Sequence, residues 1–115
     1  MSRDNAYLRD ILDSAKLIRR YVAGLTLADF QADTIKQDAV LRRLEIIGEA
    51  TKRLSPEARA MFPDIPWQLA AGMRDVLLHD YNDVNLETVW ETTQKDLPKL
   101  VETLQAYLAT QPPPA

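Results

Sequence analysis

Apolar residues in this chain recur at spacings of three and four and nowhere alternate in and out, which restricts the fold more than any other feature. From Asp4 to Ala23 they fall at Leu8, Ile11, Leu12, Ala15, Ile18 and Val22, the stripe of an amphipathic helix. Gly24 ends that stripe, as glycine does where a chain must turn left-handed. Thr26-Leu-Ala-Asp29 has the form of a capping box with aspartate in the glutamate place, opening a short turn through Phe30. A second long helix is expected from about Thr34 to Leu54. It should bury Leu41, Leu44, Ile47, Ala50 and Leu54, with Ile35, Val40 and Ile46 on its flanks.

Ser55-Pro56-Glu57 then stops one helix and starts another, because serine caps and proline at the first helical position loses no needed donor. That brief helix should cover residues 56–62. Pro66 opens the next, carrying Trp67, Leu69, Ala70, Met73, Val76 and Leu77, and a polar break spans Asn82 to Asn85. A last helix is expected from Leu86 to about Ala109, with Val89, Trp90, Leu97, Leu100, Val101, Leu104 and Leu108 as its stripe. Pro98 interrupts it, removes one backbone donor and should bend the helix or shift its register. The expected fold is all-α, an up-down antiparallel bundle of four to five helices in a single domain over residues 1–110. Residues 111–115 are expected to be a disordered, proline-rich tail.

A chain of 115 residues is long enough to bury a core without a covalent staple, and 46% hydrophobic against 27% charged residues is ordinary for a globule. There is no cysteine, so disulfide and thiolate chemistry are excluded. With one histidine, a metal would need carboxylate ligands, and neither a metal nor a cofactor is expected. No apolar run reaches bilayer length and no leader-like segment opens the chain, so a cytoplasmic protein without membrane contact is the expectation. The net charge of −3 argues against a protein that coats nucleic acid. Residues 1–54 nevertheless hold ten basic and eight acidic side chains, and Arg42, Arg43, Lys52 and Arg53 are candidates for a local RNA-binding groove. The alternative for those four is a solvated helix face.

The only histidine, His79, lies in Gly72-Met-Arg-Asp-Val-Leu-Leu-His-Asp-Tyr81, so proton transfer near neutrality should pass through this stretch. Gly48 and Gly72 both fall inside expected helices, where they permit either close helix crossing or open backbone beside a site. On a regular helix Arg74 and Tyr81 lie about 20° apart, but His79 stands about 140° from Arg74. Either the helix unwinds near Asp80 or a second copy of the chain completes the site. The second option has a chemical motive. RNA cleavage without metal needs a base for the 2′-hydroxyl proton and an acid for the leaving 5′-oxygen. A two-fold dimer can supply one His79 for each role, with two Arg74 side chains clamping the phosphate. Against this stand a satisfied surface histidine, a plain salt bridge from Arg74 to Asp75 or Asp80, and a half-buried Tyr81.

Arg74, four residues, His79, one residue and Tyr81 resembles the Arg-x4-His-x-Tyr signature of the HepT toxins, within the HEPN superfamily of small helical domains. Gln37 to Ala50 resembles that family's second helix, Ile65-Pro-Trp67 with Gly72-Met-Arg74 the approach to its active helix, and Val89-Trp90 with Asp96-Leu-Pro98 its last helix. The resemblance covers most of residues 5–108 and implies a metal-independent endoribonuclease of a toxin–antitoxin pair, working on RNA as a homodimer, with tRNA and mRNA the candidate substrates. It implies that His79 is the acid/base, that Arg74 binds the phosphate and that Asp75 orients its neighbours. It further implies an ATP-using, MntA-type nucleotidyltransferase antitoxin that AMPylates Tyr81, placing charge and bulk where the RNA phosphate must sit.

A second function class stays open at this point: a non-catalytic helical HEPN module that binds a nucleotidyltransferase partner or a nucleotide. Cleavage that survives EDTA and vanishes in His79→Ala separates the two.

Overall fold

The computed structural model describes residues 2–67 and 85–113. All regular secondary structure among them is helical: α1 (Ser2–Val22), α2 (Leu27–Ala32), α3 (Thr34–Arg53), α4 (Pro56–Ala60), α5 (Leu86–Glu91), a π-helical turn (Thr92–Asp96) and α6 (Leu97–Leu108). The all-α class is therefore the observed one. No helix among the described residues is long and apolar enough to cross a membrane.

α1 occupies the centre of the packing, against α3 on one side and α6 on another. Its whole apolar stripe, Leu8 to Val22, is buried, with Ile11, Ala15 and Ile18 fully so. α3 answers with Val40, Leu41, Leu44, Ile47 and Ala50, and α6 with Leu97, Leu100, Val101 and Leu104. Each such leucine, isoleucine or valine contributes roughly 1.5–3 kcal/mol when taken fully out of water. Val40, expected at the flank of α3, is in the core, whereas Ile35 is 81% exposed. Ile35 lies in the first turn of α3, five residues before the helix presents its first buried side chain. Thr51 also sits fully inside the core; its hydroxyl donates to the Ile47 carbonyl (2.7 Å), so no polar atom is stranded.

The helix boundaries have local chemical causes. Gly24 takes φ +76° after α1. In the capping box, the Asp29 amide donates to Thr26 Oγ1 (3.1 Å) and the Thr26 amide to Asp29 Oδ2 (3.0 Å). The turn expected through Phe30 is consequently a short helix, and Phe30 is fully buried with its ring centroid 5.6 Å from that of Trp90. Asp33 caps α3 through the Lys36 amide, and Gln37 Nε2 donates to the carbonyls of Phe30 and Gln31 at the end of α2. Ser55 caps α4 with Pro56 at its first position, but α4 stops at Ala60, short of the expected residue 62.

Pro98 acts on register. The Leu97 amide bonds to the Thr92 carbonyl, five residues back, and the chain adopts π geometry over Thr92–Asp96 before resuming as α6. A π turn absorbs one extra residue, so the stripe of α5 and that of α6 face the core despite the proline. Beyond α6, Asn5 Nδ2 donates to Gln111 Oε1 (3.3 Å) and Arg9 Nη2 to the Pro112 carbonyl (2.9 Å), tying the first tail residues to α1. The tail's composition does not foreshadow these contacts.

Candidate active site

Gly72, Arg74, Asp75, His79 and Tyr81 lie outside the described residues, as does the helix expected after Pro66. The structure does define the two points between which the chain bearing them runs, Trp67 and Asn85.

Trp67 is held from several directions. Its indole Nε1 donates to the Arg59 carbonyl (3.0 Å), its ring meets Phe62 edge-on at 6.3 Å, and it is 8% exposed. Phe62 in turn packs edge-on against Tyr107 (5.2 Å), whose hydroxyl donates to Asn5 Oδ1 (3.1 Å). The Arg59 guanidinium donates from Nη2 to the Thr51 carbonyl (2.7 Å), linking the end of α3 to the carbonyl-bearing turn that receives the indole. At the far side, Asn85 accepts the Thr88 amide (3.1 Å) and caps α5, which inserts Val89 into the core. Beside Trp67 a small cavity of about 50 Å³ is lined by Ile11, Leu44, Ile47, Trp67, Leu97 and Leu100, with Thr92 and Asp96 as its polar neighbours.

The four basic candidates do not share one patch. Arg42 and Arg53, eleven residues apart on α3, fall on the same side, with about 16 Å of axial rise between them. Both line a shallow groove with Tyr7, Asp10, Ile46, Glu49 and Ala50. Arg43 and Lys52 stand about 100° and 80° away on opposite flanks of that row. Arg42 pairs with Glu45 (3.6 Å) and Arg53 with Glu49 (3.0 Å). The Tyr7 hydroxyl beside it, and then Glu49, hold the Arg53 guanidinium above its already high usual range. The groove thus carries mixed charge, with carboxylates between the cations.

Two residues that shape this region escape a reading of the sequence. Arg59 looks like a surface residue of a five-residue helix, and Asp4 like the ordinary acidic first turn of α1. Only their long-range partners, Thr51 and Ser55, give them a role, and neither pairing leaves a mark in local spacing. Among the described residues no group of three or more His, Cys, Asp or Glu side chains could hold a metal ion.

The Ribonuclease HepT-like family matches residues 11–107, a span that includes Arg74, His79 and Tyr81. The chain is 39% identical over 108 residues to a protein named "Putative RNase" from Caldanaerobacter subterraneus subsp. tengcongensis, covering 94% of this chain and 96% of that one. It is 40% identical over 94 residues to the probable ribonuclease HepT of Thermococcus cleftensis, covering 82% and 86%. It is also 47% identical over 98 residues to a Methanocaldococcus jannaschii protein named "Gamma-glutamylcyclotransferase and putative RNase". That alignment takes in 85% of this chain but spans only 44% of the relative's length. No solved structure matches. An all-helical fold, an aromatic anchor leading into the Arg-x4-His-x-Tyr stretch and a match over nearly the whole length place this chain in the HepT-like ribonuclease family of the HEPN superfamily.

Proposed function

We propose that this protein is a metal-independent endoribonuclease, the toxin of a toxin–antitoxin pair, working as a two-fold homodimer. The carrying observation is that Arg74, His79 and Tyr81 keep their signature spacing inside the matched span, residues 11–107. Relatives bearing ribonuclease names over most of their length support the ribonuclease part of this reading.

In this reading His79 of one subunit takes the proton from the RNA 2′-hydroxyl, whose oxygen attacks the adjacent phosphorus. His79 of the partner subunit protonates the departing 5′-oxygen, leaving a 2′,3′-cyclic phosphate and a free 5′-hydroxyl. Arg74 neutralises charge gathering on the phosphate oxygens through a charge-assisted hydrogen-bonding fork, and Asp75 orients its neighbours. Tyr81 is the site at which a nucleotidyltransferase antitoxin transfers AMP from ATP, releasing pyrophosphate and forming a tyrosyl phosphodiester. The added phosphate occupies the place of the RNA backbone and switches the toxin off.

The test is cleavage of total RNA by purified protein in EDTA, with His79→Ala as the control. Cleavage by the parent and none by the folded variant supports the reading; equal cleavage by both overturns it. A second reading draws on the mixed charge along α3, where Glu45 and Glu49 compensate Arg42 and Arg53. A non-catalytic module that binds a nucleotidyltransferase would suit that surface. It predicts intact RNA alongside a partner that still co-purifies.

A further inference from the structure

We infer that Gln111 and Pro112 are a latch on the first turns of α1, and that this latch, the Asp4–Ser55 contact and the start of α4 open and close as one local unit. The first four amides of a helix have no partner within it, so the opening turn of α1 is held by its side chains or frays. Two of those side chains, Asp4 and Asn5, are buried, and they bond to different parts of the chain. Asp4 takes the amide and the hydroxyl of Ser55, which caps α4. Asn5 uses both ends of its amide on residues near or beyond the end of α6. Its Oδ1 accepts the Tyr107 hydroxyl (3.1 Å), and its Nδ2 donates to Gln111 Oε1 (3.3 Å).

Several further bonds aim the latch. Gln111 Nε2 donates to Thr110 Oγ1 (3.1 Å), and the Thr110 hydroxyl donates to the Tyr107 carbonyl (2.6 Å), which leaves Gln111 Oε1 for Asn5. The amides of Thr110 and Gln111 bond to the Tyr107 and Leu108 carbonyls (3.0 and 3.1 Å), so the turn after α6 is closed before the chain reaches Pro112. Pro113 then restricts Pro112 to extended backbone, and the Pro112 carbonyl accepts Arg9 Nη2 (2.9 Å). Arg9 stands one turn after Asn5 and about 40° from it around the helix, so the two grip consecutive residues from one face. Asp4 and Asn5 are neighbours, and the turn that holds them cannot fray without losing both sets of contacts. Tyr107 extends the coupling, because its ring meets Phe62, just past α4, edge-on at 5.2 Å. Breaking the latch therefore lowers the cost of releasing Ser55, although the latch itself is made by residues beyond α6.

The experiment is native-state hydrogen exchange, read residue by residue by NMR, on the parent, on Gln111→Ala and on a variant ending at Thr110. The reporters are the Ser55 and Ala58 amides, bonded to Asp4 and to Ser55 Oγ. The controls are the Asp29 and Lys36 amides, bonded to Thr26 and Asp33 at the caps of α2 and α3. In the shortened variant Ser55 and Ala58 should exchange about tenfold faster, and in Gln111→Ala about three- to fivefold faster, with the controls within about twofold of the parent. Should the shortened variant fail to fold, Gln111→Ala carries the test. Parental exchange at Ser55 and Ala58 overturns the coupling. Equal acceleration at reporters and controls overturns the local unit, because the loss then belongs to the whole domain.

Discussion

The carboxylate of Asp4, in the first turn of α1, accepts both the amide (3.0 Å) and the hydroxyl (2.7 Å) of Ser55, fifty-one residues along the chain. Ser55 Oγ simultaneously accepts the Ala58 amide (3.1 Å), so one serine caps α4 and ties it to α1. The backbone bond first and the hydroxyl bond second hold the Asp4 carboxyl below its usual 3.8.

Asp4→Ala should therefore destabilise the protein by about 2 kcal/mol, the range for hydrogen bonds to a charged acceptor. A carboxyl whose pKa is lower folded than unfolded contributes its full stability above the unfolded value. That contribution drains away as pH falls from about 3.8 through the depressed folded value. Denaturant midpoints measured from neutral pH down to about 2 should show a component of acid loss in the parent that Asp4→Ala lacks.

Phe30 carries the closure of the opposite end. It is fully buried in a six-residue helix and meets Trp90 of α5 at 5.6 Å. Phe30→Ala should cost about 3–5 kcal/mol, a large share of the roughly 5–15 kcal/mol that holds a domain of this size together. Thermal unfolding checks this, and Phe30→Leu should recover much of the loss because it refills most of the cavity.

If one His79 serves as base and its twin as acid, kcat/KM should pass through a maximum between two apparent pKa values belonging to the pair. Chemistry-limited rates measured from about pH 5 to 9 supply the test, and a flat profile there would argue against paired imidazoles.

Co-expression with a cognate nucleotidyltransferase should raise the mass of the protein by whole AMP units, with the added mass mapping to the peptide containing Tyr81. Tyr81→Phe should abolish the shift. The same variant should resist neutralisation by the partner, which growth assays can read.

Most of the helical framework was legible because its causes are local. Capping at Thr26 and Ser55, the left-handed Gly24 and the stripes of α1 and α3 depend on residues within a turn or two of each other. The Arg-x4-His-x-Tyr spacing was legible for the same reason, and the family match rests on a span that contains it. Proline at position 98 announced a disturbance but not its form, since a bend and a π turn accommodate the missing donor equally well in an isolated helix. The core chose between them: α5 must bury Val89 while α6 buries Leu97, Leu100 and Leu104, and one extra residue per turn reconciles the two faces.

By itself, then, the amino-acid order determined that the described segments are helical, where most of them start, and which candidate chemistry the chain carries; the end of α4 and the π turn before α6 lay outside its reach. Tertiary structure alone decided that α1 lies at the centre, that Ile35 is left to solvent while Val40 is enclosed, and that Arg42 and Arg53 share a groove with Tyr7 and Asp10 of α1. It also decided the partnerships of Asp4 with Ser55 and of Arg59 with Thr51 and Trp67. The physical reason is range. A cap or a stripe is settled by neighbours a few residues away, whereas a buried carboxylate or an indole N–H finds its partner only after the helices have packed.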